Sequence, residues 1–137
     1  MSTMEKQYII PKVKIGTDIC QISRYKAAYE KYGIRFLKRV LTDNELTYVT
    51  SNERNLVSRL AGRFAAKEAT SKVLGTGLRG VYFKEIEILR EPSGAPKLVL
   101  HSREKKRAED KKLCNFEVSI SHERDYAIAV VLAVCSE

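Results

Sequence analysis

Tryptophan is absent from this sequence, aromatic residues make up only 8% of it, and no K/R-G-F-x-F pattern occurs. Without such stacking platforms, binding of single-stranded RNA or DNA has little to rest on. Long apolar runs are also missing. The longest, Tyr126 to Val134, falls far short of the roughly 20 residues a membrane-spanning helix needs, which argues against a membrane protein. Met1 to Pro11 lacks a basic start, an apolar stretch and a small-residue cleavage site, so no signal peptide is expected. Cys20, Cys114 and Cys135 are odd in number, far apart and in no C-x-x-C pair. That argues against a disulfide framework or a thiolate zinc site and favours a reducing cytoplasm.

What is present describes a soluble globular chain. Its 137 residues suit one domain, residues 1–137, with 1–11 as an N-terminal extension; 44% hydrophobic and 31% charged residues are enough to build a core. A formal net charge of +8 makes the surface attractive to anions: nucleic acids, anionic membranes, phosphorylated cofactors or acidic proteins.

Lys12 to Cys20 alternates Val13, Ile15, Thr17 and Ile19 against Lys14, Gly16, Asp18 and Cys20, the period of a half-buried strand, and the apolar set is expected to face the core with Asp18 pointing away. Ser23 is expected to cap a helix ending at Gly33, and Thr42-Asp43-Asn44-Glu45 reads as a capping box. A long alanine-rich helix should run from about Glu53 to Leu74, with Gly75 as its terminator. Tyr82 to Glu91 alternates, Pro92 to Pro96 is turn chemistry, and Lys97 to His101 returns, forming a hairpin. Ser102 to Lys112 reads as a solvated helix, Phe116 to Ser121 as a strand, and Tyr126 to Val134, apolar on both faces, as a central strand. Strands bracketing a helical middle give an α+β fold, an antiparallel sheet packed with a long central helix.

The chemistry concentrates on that helix. Leu56, Val57, Leu60, Ala61 and Phe64 form an apolar stripe, and its next turn presents Lys67, Glu68 and Ser71. A carboxylate leaving water costs several kcal/mol unless it is paired or binds a metal. Lys72, at i+4, would pair Glu68 locally. Alternatively Asp18, close to Gly16, where a phosphate or a backbone can approach, joins Glu68 to hold magnesium, which takes oxygen ligands and substrate phosphates. Arg63, Lys67, Lys72 and His122 are cations suited to a polyphosphate, and Gly75, Gly77 and Gly80 offer a phosphate-cradling loop whose spacing is not that of a P-loop.

Read together, IGTDICQISR (15–24), RFLKRVLTDNEL (35–46), RLAGRFAAKEATSKVLGTG (59–77), FKEIEI (83–88), PSGAPKLVL (92–100) and VSISHERDYAIAVV (118–131) resemble the holo-acyl carrier protein synthases of the phosphopantetheinyl transferase superfamily over nearly the whole chain. The resemblance implies the 4′-phosphopantetheinyl transferase fold as a homotrimer, with active sites between subunits. It implies transfer of 4′-phosphopantetheine from coenzyme A to a serine of an acidic acyl carrier protein, with release of adenosine 3′,5′-bisphosphate, in support of fatty acid biosynthesis. Asp18 and Glu68 would be magnesium ligands, and Lys72 a phosphate contact. Arg63 and His122 would lie near the 3′-phosphate end, Gly75 beside the coenzyme, and Arg24, Lys26 and Arg35 against the carrier. A metal-bound water, Glu68, or His122 oriented by Glu123 is each open as the base for the serine proton. Two other classes fit parts of the sequence: a basic nucleic-acid module, which leaves Glu68 unexplained, and a non-catalytic scaffold for carrier proteins, which would not need both acids.

Overall fold

The structure, a computed structural model, describes residues 10–77 and 80–136. Of the expected N-terminal extension only Ile10 and Pro11 fall within it, and Leu78 and Arg79 of the glycine-containing loop lie outside it. The chain runs β1 (Val13–Gln21), α1 (Ile22–Tyr32), α2 (Ile34–Val40), α3 (Asp43–Thr50), a 3-10 turn (Glu53–Asn55) and α4 (Leu56–Leu74). A second 3-10 turn (Phe83–Glu85), β2 (Ile86–Arg90), β3 (Pro96–Leu100), α5 (Ser102–Asp110), β4 (Leu113–His122) and β5 (Tyr126–Cys135) complete it. β1, β5 and β4 form an antiparallel sheet with β5 in the middle, while β2 and β3 pair separately.

Helix α4 lies on the three-stranded sheet through small side chains on both partners. Ala65, Ala66 and Ala69 share one buried cluster with Ala127, Ala129, Val131 and Ala133 of β5, and alanine's short side chain lets a helix approach closely. At Gly16 the approach is closest. A Cβ there would sit 2.2 Å from the Ala69 carbonyl oxygen and 3.0 Å from Val73 Cγ2, so what comes close to this glycine is backbone. Gly16→Ala is expected to cost about 3 kcal/mol, because overpacking against rigid main chain outweighs the roughly 0.4–1 kcal/mol gained by stiffening the unfolded chain. A fall in Tm of the order of 10 °C in a thermal melt would report it.

This packing reverses the expected facing of β1. Gly16 and Cys20 are buried and Asp18 is half-buried towards α4, whereas Val13, Ile15 and Ile19 are exposed, the two isoleucines at 62% each. Alternation distinguishes the two faces of a strand without saying which one is covered. On β5, Tyr126, Ile128 and Val130 are exposed on the same side, so among the described residues the sheet carries an uncovered apolar face.

The other side of α4 buries Leu56 and Leu60 against Leu37, Val40, Leu41 and Val49, with Phe64 between the two clusters. Several boundaries differ from the sequence reading. α1 begins at Ile22 behind Gln21, which makes no side-chain capping bond, so Ser23 is not its cap. α2 is an additional helix, separated from α1 by Gly33 at φ 61°. α4 starts after a 3-10 turn capped by Asn52, and β4 begins at Leu113 with an irregularity between Cys114 and Glu117. α5 is not wholly solvated, since Glu104 and Ala108 are buried. The capping box is present with both bonds, Glu45 N–H to Thr42 Oγ1 at 3.2 Å and Thr42 N–H to Glu45 Oε1 at 2.9 Å.

Candidate functional site

A cleft of about 490 Å³ opens where β1, α1 and α4 meet, lined among others by Asp18, Cys20, Arg24, Tyr25, Phe64 and Glu68. Strand period places Asp18 and Cys20 on the face that α4 covers, and Glu68 leans in from the helix. One ligand atom from each of Asp18, Cys20 and Glu68 falls within 4.8 Å of the others, so the two acids converge as the metal reading requires. Lys72 does not pair with Glu68. Its ammonium donates to the Thr17 carbonyl at 2.7 Å and to Asp18 Oδ1 at 3.3 Å.

Among the described residues that leaves Glu68 without an ion pair of its own. Burial first, then the adjacent Asp18 carboxylate, push its pKa up to about 8, with Lys72 and Arg24 opposing. Since the folded value lies above the ordinary 4.5, its stabilising contribution is complete below the unfolded range and is lost as pH rises through about 8. The Tm of the metal-free chain is therefore expected to fall more steeply than that of Glu68→Gln from about pH 4.5 to about pH 8, with the variant the more stable above it. Parallel melts across that range would check this.

Cys20 donates its S–H to Asp18 Oδ2 at 3.3 Å and touches Tyr25 Oη at 3.4 Å. Burial pushes the thiol up to about 12 and the Tyr25 hydroxyl above its ordinary value, so neither is a nucleophile or base near neutrality. Sequence reasoning missed both as site residues. The signal for Cys20 was available, because it shares a strand face with Asp18.

Lys67, expected among the phosphate-binding cations, is not one. It is completely buried, 2.8 Å from Glu45 Oε1, and also donates to the carbonyls of Phe83 at 2.7 Å and Ile86 at 2.5 Å. Arg63 is buried and stacks on Tyr48 at 4.3 Å, with Arg59 at 4.2 Å and Arg90 at 5.8 Å from the same ring. Its Nε has no hydrogen-bond partner among the described residues, and burial lowers its pKa. Three guanidiniums around one ring form an anion-attracting patch. Gly75 closes α4 in the left-handed region at φ 78°, with the Lys111 ammonium where a Cβ on Gly75 would lie and donating to the Leu74 carbonyl.

His122 ends β4, exposed, paired with Ala127 and two strands away from Cys20. It does not line the Asp18–Glu68 cleft of its own chain. Lys26 lies in a separate depression with Arg124 and Tyr126, and Arg35 lines another with Arg39 and Tyr32. Only Arg24 of the expected carrier contacts shares the acidic cleft. Among the described residues no helix is long and apolar enough to cross a membrane.

Comparison with known proteins shows the family. The family model described as the 4′-phosphopantetheinyl transferase superfamily matches residues 14–131. The chain is 43% identical over 121 residues to a holo-[acyl-carrier-protein] synthase of Gloeobacter violaceus, covering 88% of this chain and 92% of that protein. It is 40% identical over 126 residues to one of Caldanaerobacter subterraneus, covering 92% and 98%. Among solved structures, the synthase of Neisseria meningitidis superposes with a TM-score of 0.80 at 37% identity over 88% of this chain and 96% of that one. The Helicobacter pylori synthase, solved in complex with coenzyme A, gives 0.75 at 33% identity over 87% and 98%.

Proposed function

The chain belongs to the holo-[acyl-carrier-protein] synthases of the 4′-phosphopantetheinyl transferase superfamily, and we propose that Asp18 and Glu68 hold magnesium at the centre of its reaction. It moves the 4′-phosphopantetheine arm of coenzyme A onto a serine of apo-acyl carrier protein and releases adenosine 3′,5′-bisphosphate. The observation that carries the metal reading is the closeness of two carboxylates, one of them pushed towards protonation by its burial and by the other. Such an oxygen donor pair suits a hard dication. Bound there, the ion would neutralise the diphosphate of the substrate.

The protein's own groups do the rest. Lys72, on the rim of the site and 54% exposed, is free to exchange Asp18 for a diphosphate oxygen and steady the charge that builds as the serine hydroxyl attacks the β-phosphorus. The buried Arg63, with Arg59 and Arg90 around Tyr48, takes the 3′-phosphate end of the nucleotide, and Gly75 stands beside the coenzyme. Arg24, Lys26 and Arg35 present positive charge to the acidic carrier. Glu68 and His122 are the side chains suited to accept the serine proton.

Residues 1–137 act as one domain, and the chain works as a homotrimer in the cytoplasm, serving fatty acid biosynthesis. The bare sheet face supports the trimer, since Val13, Ile15, Ile19, Tyr126, Ile128 and Val130 form an apolar patch of the kind that subunit contacts cover. Sites lying between subunits would bring His122 of one chain to the cleft of another. Ile15→Lys with Ile19→Lys should yield monomers by analytical ultracentrifugation and lose turnover in step with the trimer. Monomers with full turnover would contradict the shared site.

The reaction itself is tested by mass spectrometry of apo-carrier incubated with coenzyme A and magnesium. A gain of about 340 Da on the carrier is expected, and an unchanged mass would point to a scaffold.

A further inference from the structure

Cysteine spacing in the sequence argues against a thiolate metal site, yet folding brings one thiol to the two acids. Cys20 Sγ lies 3.3 Å from Asp18 Oδ2, and one ligand atom each of Cys20, Asp18 and Glu68 falls within 4.8 Å of the others. Donors around one tetrahedral zinc stand about 3.5–4 Å apart, so the trio is within roughly an ångström of a coordinating arrangement. We propose that Cys20 converts this site into one that also takes a thiophilic divalent cation, zinc above all, in place of magnesium.

The inference rests on the reading of Asp18 and Glu68 as a metal site and adds a selectivity to it. Magnesium takes oxygen donors and leaves a thiol as a neutral bystander. Zinc accepts sulfur together with carboxylate oxygen, and in the usual affinity order it already outranks most hard cations before a thiolate is added. Cys20 is 4% exposed and its S–H is directed at Asp18, so the donor is held in place beside the acids without having to be recruited from solvent. On binding, the thiol proton passes to bulk water and the sulfur lone pair goes to the metal, with no change of oxidation state. A site filled in this way is one unit less positive than with magnesium beside the neutral thiol, and it loses the oxygen-only environment that magnesium and a diphosphate share, so zinc should oppose magnesium in the transfer reaction.

Cobalt reads the sulfur directly, because thiolate ligation gives a near-ultraviolet charge-transfer band. The chain should be titrated with Co²⁺ alone in a Cys114→Ser/Cys135→Ser background, where Cys20 is the remaining thiol. The expected result is a thiolate band saturating at one equivalent and displaced by Zn²⁺. Cys20→Ser should abolish the band and weaken zinc by at least about tenfold, the lower end of what even an outer-shell partner costs. Cobalt binding without the band in the Cys20-containing chain overturns the proposal, whether or not the serine variant folds. So does a band that survives Asp18→Asn, since the thiol would then act apart from the acids. Magnesium calorimetry separates the parent reading: magnesium that binds the chain and is lost in Asp18→Asn, with no cobalt band, sinks only the role of Cys20. A chain that binds no magnesium sinks both.

Discussion

Replacing Glu68 with glutamine is expected to lower kcat/KM at limiting magnesium by about two to three orders of magnitude, the scale of losing one electrostatic partner of a developing charge. The fold should not contribute to that loss. Burial and Asp18 hold Glu68 up to about 8, so at neutral pH the metal-free chain carries mostly the protonated acid, of which a carboxamide is a near copy in shape and charge. The variant should therefore melt no lower than the parent at neutral pH, and close to it only near pH 4.5, where the acid is protonated folded and unfolded alike, while magnesium calorimetry shows binding weakened and no longer coupled to proton release. Asp18→Asn should cost more, because Asp18 also anchors Lys72 at 3.3 Å and accepts the Cys20 S–H. A Glu68→Gln enzyme with wild-type turnover at limiting magnesium would remove Glu68 from the ligand set.

The largest loss of stability is expected one residue earlier. Lys67→Met leaves Glu45 buried without its cation, and breaking a buried pair from one side costs about 3–5 kcal/mol. At this chain length that corresponds to a fall in Tm of the order of 10–20 °C. Three elements depend on the pair: Lys67 is on α4, Glu45 on α3, and Glu45 Oε2 accepts the Ile88 N–H of β2 at 2.8 Å. Lys67→Met combined with Glu45→Leu should be milder than Lys67→Met alone, since removing both charges leaves no orphaned ion. A single variant melting within a few degrees of the parent would show the pair to be dispensable.

The long helix, its glycine stop, the Thr42–Glu45 capping box and the central apolar strand were all legible in the sequence, because each is written in neighbours three or four residues apart or, for the strand, in one unbroken apolar run. Asp18 and Glu68 were legible for a different reason, an acid interrupting an apolar stripe and a second acid beside a glycine. What the sequence misdirected depends on contacts between distant segments. Lys67 reads as a cation like Lys72 until α3 delivers Glu45 to it across 22 residues of chain. Lys72 seems the natural mate of Glu68 at i+4, yet β1 brings it Thr17 and Asp18 instead. The facing of β1 was inverted because its isoleucines sit on the side that no element among the described residues covers.

Gly16 and Asp18 point the same way from β1, and Glu68 directly precedes Ala69, whose carbonyl rests where a methyl on Gly16 would have to go. The bite of the two acids is thus a dimension of the backbone, gauged by an absent side chain two positions away. A homologue bearing a bulkier residue at that point could keep every ligand and still grip a cation poorly, its jaws propped open by one carbon atom.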